Sequence, residues 1–262
     1  MRIIDFHVHI YPDAIASKAA DNVRAFYDGI GNPAIDGRVS TLLDHAQTAG
    51  VSECVILPVA TKPDRTRHIN EFIIRECKDR PQFYGFGTVH AEMDGLMDEV
   101  DFIMDNGLRG IKIHPDYQTF AIDDPKMFPV YEQIRGKMPI VFHMGDLRYD
   151  YSHPAKLRHV LELFPGLQVV AAHFGGYQLH EIAKEVLTDT DCLFDTSSSL
   201  MFMQPGVAES YIRHYGADRF MYGTDYPMWD PVVEVERFFS LDLTDDEKEQ
   251  IAWKTAAQLL RV

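Results

Sequence analysis

The sequence predicts an α/β fold of the (β/α)8 TIM-barrel class, and three observations predict it. Eight short apolar runs rich in β-branched and aromatic residues alternate with helix-like stretches, as in a parallel sheet assembled from βα units. After the first pair, successive runs start about 20 to 30 residues apart, room for a strand, a helix and two short loops. The chain has 262 residues, near the roughly 250 typical of that barrel and enough to bury about three quarters of the surface its unfolded form exposes. A doubly wound open sheet shares the alternation, but no glycine-rich phosphate loop follows the first run, and a count of eight favours the barrel.

The runs are residues 2–8, 53–59, 83–89, 110–114, 139–143, 168–173, 192–196 and 219–223. Between and after them, stretches 39–49, 66–79, 93–106, 125–135, 153–163, 179–187, 206–214 and 231–239 repeat apolar residues at three- and four-residue spacing, the helical period. Residues 11–38 carry Tyr-Pro-Asp and Gly-Asn-Pro turn signals and are expected as a long loop over the barrel mouth. A Thr-Asp-Asp-Glu-Lys opening predicts an N-capped terminal helix over 245–261. Nothing resembles a linker or low-complexity tract, so residues 1–262 are expected as one domain.

Forty acidic and 25 basic residues give a net charge of −15, which repels nucleic acid and anionic membranes at long range. The expected partner is a small-molecule substrate, carboxylate-bearing on the reading of the loop after the fifth run, and the expected assembly a homodimer. Cys54, Cys77 and Cys192 are odd in number and sit in apolar contexts, reading as free thiols in a reducing, cytoplasmic compartment. No apolar stretch is long enough to span a bilayer, and no secretion leader opens the chain.

Barrel strands should be apolar, so polar residues at their C-terminal ends need a reason. Here His7 and His9 end the first run, Lys112 and His114 the fourth, His143 the fifth, His173 the sixth and Asp195 the seventh, and Asp225 follows the eighth. Strand side chains alternate, so His7 and His9 face the same way and can reach one ion. Two or three imidazoles with a carboxylate suit Zn2+ or a similar divalent cation, and an open position for water or substrate distinguishes a catalytic from a closed structural site. His7, His9, His143 and Asp225 supply that set, and one ion is expected.

His173 is open to three roles: acid or base, hydrogen-bond donor to the reacting oxygen, or ligand to a second ion. Lys112 is a candidate for that second site, although a buried ion pair is the favoured reading. His114 reads as a substrate contact or a packing residue, and Asp195 as part of a side-chain-capped turn. Arg148, Tyr149, Tyr151 and His153 form a loop suited to an anionic or aromatic substrate, or merely a solvated one. His45, His68, His159, His180 and His214 lie in helical stretches as surface or packing residues, and His90 caps a loop.

In order along nearly the whole chain, Asp5-Phe-His-Val-His9, Gly110-Ile-Lys-Ile-His-Pro115, Phe142-His-Met-Gly145, Ala172-His-Phe-Gly-Gly176 and Tyr222-Gly-Thr-Asp-Tyr-Pro227 resemble the amidohydrolase superfamily. Within it they resemble the amidohydrolase 2 group that includes aminocarboxymuconate-semialdehyde decarboxylase-like enzymes. The resemblance implies a metal held by His7, His9, His143 and Asp225, with His173 catalytic or ligating a second ion. In binuclear relatives a carboxylated lysine ends the fourth strand and bridges two ions; Lys112 lies two residues before the run's end, which favours one ion.

Two activities follow from that resemblance. In hydrolysis of an amide, lactone or ester, metal-bound water falls from pKa 15.7 toward about 7, Asp225 accepts its proton and His173 assists the tetrahedral intermediate. In non-oxidative decarboxylation of an unsaturated or aromatic acid, the ion polarises the substrate, Arg148 holds a carboxylate and an acid protonates the carbon. The group's decarboxylases usually carry longer chains, so the compact length favours hydrolase. A non-catalytic metal-binding protein is the third reading.

Overall fold

The computed structural model describes residues 1–32 and 34–262; Pro33, which ends the Gly-Asn-Pro turn signal, lies outside the described residues. Each apolar run contains a strand, and 83–89 contains two, interrupted at Phe86. The strands are β1 Ile4–Val8, β2 Glu53–Ile56, β3 Phe83–Gly85, β4 Gly87–Thr88, β5 Ile111–Ile113, β6 Ile140–Phe142, β7 Val169–Ala171, β8 Leu193–Asp195 and β9 Phe220–Met221. The α-helices are α1 Ala16–Phe26, α2 Val39–Ala49, α3 Thr66–Lys78, α4 Leu96–Asp105, α5 Pro115–Gln118, α6 Phe128–Ile134, α7 Pro154–Leu163, α8 His180–Leu187, α9 Val207–Tyr215, α10 Pro231–Phe239, α11 Asp245–Glu249 and α12 Thr255–Leu260. Two compact units emerge, residues 1–56 with 196–262, and residues 57–195. Among the described residues no helix is long and apolar enough to cross a membrane.

In the first unit β1 is buried at all five positions, as expected of a strand covered on both faces. It runs parallel to β2, with Ile4 opposite Glu53 and Asp5 opposite Cys54. Its other edge meets the segment after β9: Phe6 N–H donates to the Tyr222 carbonyl at 2.8 Å, and Asp225 N–H to that of His7 at 2.8 Å. The register shifts between Asp5 and Val8, over Phe6 and His7, where β1 carries one residue more than β2.

Residues 11–38 correct the sequence reading, because α1 occupies 11 residues of the expected loop. Its buried stripe is Ala16, Ala20 and Arg24, a four-residue spacing carried by two small residues and a cation rather than by large apolar groups. Arg24 is satisfied by the carbonyls of Asn32 and Ile35 at 3.0 and 3.1 Å. The expected terminal helix opens on the Thr244–Glu247 capping box, but a π-helical stretch, Gln250–Lys254, interrupts it. The Ile251 carbonyl there accepts from Tyr222 N–H at 2.9 Å, an outside partner that a widened turn can serve.

In the second unit β4, β5, β6, β7 and β8 are successive parallel neighbours, with Thr88 opposite Lys112, Lys112 opposite Val141, Val141 opposite Val170 and Ala171 opposite Phe194. Gln118, at the end of α5, braces three strand ends. Its Nε2 donates to the carbonyls of Ala60 and Val89 at 2.9 Å each, and its Oε1 accepts from His114 N–H at 2.8 Å. Asn70 of α3 completes the edge of β4, donating to Thr88 C=O and accepting from Thr88 N–H.

Candidate metal centre

In the first unit His7, His9 and Asp225 converge. His7 is 1% exposed, and Nε2 of His9 and of His7 stand 3.1 and 3.7 Å from Oδ1 of Asp225. One donor atom from each of the three lies within 4.8 Å of the others. His9 follows β1 by one residue and Asp225 lies four beyond β9, so the strand ends set their spacing. Asp225 has a positive φ of 64°, a conformation that costs a non-glycine residue free energy and recurs at functional sites. Gly223 makes room for this approach: a Cβ there would stand 2.9 Å from that of His7.

The donor chemistry fits a divalent cation. Nδ1 of His7 lies 3.0 Å from Ser197 Oγ; a proton on Nδ1 donated to that oxygen leaves the Nε2 lone pair for a metal, and the carboxylate offsets charge. Asp5, the acid of the Asp-Phe-His-Val-His motif, does other work. Its Oδ1 accepts from His7 N–H at 3.2 Å and Thr224 N–H at 2.9 Å, and its Oδ2 from Thr224 Oγ1 at 2.6 Å, buckling β1 to the loop that carries Asp225.

The second unit gathers the remaining predicted residues. Nδ1 of His143 and Nε2 of His173 are 2.9 Å apart. The His114 ring stacks on His143, centroids 3.8 Å apart and planes 7° from parallel, so His114 packs as well as lining the cluster. Its Nδ1 accepts from Tyr117 N–H at 3.2 Å, which puts its proton on Nε2 in the neutral ring. Asp195 is fully buried and its Oδ1 accepts from His173 N–H at 3.0 Å, holding a turn in which His173 and Phe174 both have positive φ. Lys112 is buried in the middle of β5.

Arg148 grips the buried Asp146 through two bonds, Nε to Oδ1 at 3.0 Å and Nη2 to Oδ2 at 2.6 Å, and its guanidinium lies 5.4 Å from the Tyr149 ring centroid. A substrate carboxylate would share this cation with Asp146. His90 caps a turn, accepting from Glu92 N–H, and His153 caps the start of α7, accepting from Ala155 N–H. Asp116, which the sequence reading passed over, is buried 3.9 Å from Nε2 of His143. Burial raises its carboxyl to about 7, with the Asp146 charge adding and the Ser152 hydroxyl opposing. Ser197, Ser198 and Trp229 were also missed. Position after a strand's C-terminal end, the cue applied to histidines, would have found Asp116 and both serines.

A family model described as amidohydrolase matches residues 4–262. No curated protein matches the chain. Among solved structures, an uncharacterized TIM-barrel protein from Bordetella bronchiseptica is 21% identical with a TM-score of 0.81, covering 100% of this chain and 99% of that one. 5-Carboxyvanillate decarboxylase LigW from Sphingomonas paucimobilis is 16% identical with a TM-score of 0.78 over 100% and 99%. A dihydroxybenzoic acid decarboxylase from Polaromonas sp. JS666, solved with manganese and 2-nitroresorcinol, is 13% identical with a TM-score of 0.76 over 99% and 97%.

These likenesses show the fold, the α/β TIM barrel that the alternating runs predict. They also remove the ground for preferring hydrolysis on length, since the decarboxylase chains are matched almost from end to end. With a family match that leaves only the first three residues outside it, the chain belongs to the amidohydrolase family.

Proposed function

We propose that the protein is a divalent-metal-dependent, non-oxidative decarboxylase of a small hydroxylated aromatic or related unsaturated acid, with His7, His9, His143 and Asp225 as metal ligands. The observation that carries this reading is the full-length likeness to the structures of carboxyvanillate and dihydroxybenzoate decarboxylases. A bound cation supplies a Lewis acid that orients the acid substrate and withdraws electron density from it. His7 and His9 offer neutral nitrogens and Asp225 a compensating charge, while His114 and Arg148 hold the anionic groups of the substrate.

His173 is the proton donor in this reading. The bond from the substrate carbon to its carboxylate breaks, the electron pair stays on that carbon, a proton from His173 replaces the carboxylate, and carbon dioxide leaves. His173 regains its proton from solvent. Water-dependent cleavage of an amide, lactone or ester is the second reading, favoured by the family's description; there Asp225 takes the proton of water and passes it to the leaving group, and His173 assists the tetrahedral intermediate.

The experiment is a screen of protein loaded separately with zinc and with manganese against hydroxybenzoic acids, unsaturated acids, lactones and amides, following carbon dioxide and hydrolysis together. Carbon dioxide release, with one solvent deuterium in the product formed in heavy water, is the expected result. Hydrolysis without carbon dioxide would establish the second reading instead. Comparing the two metals tests zinc, the ion expected from the donor types, against manganese.

A further inference from the structure

We infer that the adjacent hydroxyls of Ser197 and Ser198, with the indole of Trp229, are positioning residues that aim His7 and Asp225 at a single cation; this rests on the ligand set proposed above. The case begins with hydrogen-bond direction. The indole N–H is a donor only, and Nε1 of Trp229 lies 2.8 Å from Ser198 Oγ. That oxygen therefore accepts from the indole and spends its own proton elsewhere. It donates to Oδ2 of Asp225.

The order of donors has a geometric result. With Oδ2 taken by Ser198, the oxygen turned toward Nε2 of His9 and His7 is Oδ1, so Asp225 is arranged to bind through one oxygen. A carboxylate freed from this bond could rotate and offer both. Ser197 acts in the same way on the imidazole, since a proton on His7 Nδ1 donated to Ser197 Oγ at 3.0 Å keeps Nε2 available. Metal-bound histidines and carboxylates depend on such partners, whose loss typically costs about 10–100-fold in metal affinity.

Local backbone supports a built arrangement over a chance turn. Ser198 has φ of 47° and Asp225 of 64°, so both ends of the bond occupy the left-handed region that non-glycine residues avoid. Ser197 and Ser199 are fully buried and Ser198 is 6% exposed. Ser199 Oγ donates to the Ser197 carbonyl at 2.9 Å, fixing the turn from within.

The test measures zinc and cobalt affinity by chelator competition, with the visible spectrum of the cobalt form as a second readout. Ser198→Ala and Ser198→Gly both remove the hydroxyl, but only glycine relieves the positive φ. Both are expected to weaken metal binding about 10–100-fold and to change the cobalt spectrum, Trp229→Phe to do so by a smaller factor, and Ser197→Ala to weaken binding with Asp225 untouched. Asp225→Ala is the control for the site itself and should abolish stoichiometric binding. If Asp225→Ala loses the metal while both Ser198 variants bind within twofold of the parent with an unchanged spectrum, the positioning role is overturned and the ligand set stands. If Asp225→Ala binds as the parent does, the ligand set falls and this inference falls with it.

Discussion

Nδ1 of His143 stands 2.9 Å from Nε2 of His173, a separation at which two imidazoles share one proton. For Nε2 of His143 to face a cation, its proton must sit on Nδ1; His173 then accepts through Nε2, and the proton it gives up in the proposed reaction is the one on its own Nδ1. The two histidines then divide their work, one holding charge and the other moving a proton.

His173→Asn keeps a polar group beside His143 and removes the titrating ring. Metal content should remain stoichiometric while carbon dioxide release falls about 10²–10⁴-fold, the usual worth of a positioned acid or base. Metal analysis alongside turnover checks this; a variant that loses its metal would make His173 a ligand.

Asp5→Ala should destabilise the protein more than Asp5→Asn. Three donors, His7 N–H, Thr224 N–H and Thr224 Oγ1, point at this 1% exposed carboxylate. Leaving buried donors unmatched costs about 1–3 kcal/mol each before relaxation, so about 2–4 kcal/mol is expected from denaturant unfolding of the alanine variant. Equal stability of Asp5→Ala and the parent would remove the buckle assigned to it.

Acid should weaken the fold through His180. Burial, reinforced by the nearby His173, lowers its pKa from 6.5 to about 4, so the folded protein keeps this ring neutral where the unfolded chain begins to protonate. Its contribution is complete above pH 6.5 and is lost as pH falls toward 4, with a slope of at most about 1.4 kcal/mol per pH unit. Unfolding curves of the parent and His180→Gln across that interval should show the shallower slope in the variant, and parallel slopes would refute the assignment.

Gly223→Ala should act on the metal rather than on the fold as a whole. The added methyl would meet Cβ of His7 at 2.9 Å and Cβ of Ser197 at 3.3 Å, displacing both a proposed ligand and its hydrogen-bond partner. Chelator competition should report weaker binding, with circular dichroism unchanged.

Much of this was legible in the residues because strand-end chemistry leaves a positional trace. His7, His9, His143, His173 and Asp225 all stand out as polar side chains that end or follow apolar runs, and α2 and α10 as stretches of apolar spacing. What stayed hidden lacked that contrast. The stripe of α1 is alanine and arginine, too weak an amphipathic signal beside its turn residues. Ser197 and Ser198 look like turn formers in any sequence, and only the placement of Trp229 and His7 gives their protons a direction. The grip of Arg148 on Asp146, two residues away, is equally silent in the sequence, where a loop arginine reads only as a substrate contact or a solvated cation.

Gln118 holds Ala60, Val89 and His114 solely through their main-chain atoms. A grip of that kind is blind to side-chain identity, so one glutamine sets the spacing of three backbones, while the side chains they carry answer to other neighbours: those of Ala60 and Val89 to the core in which they are fully buried, and that of His114 to its stack on His143.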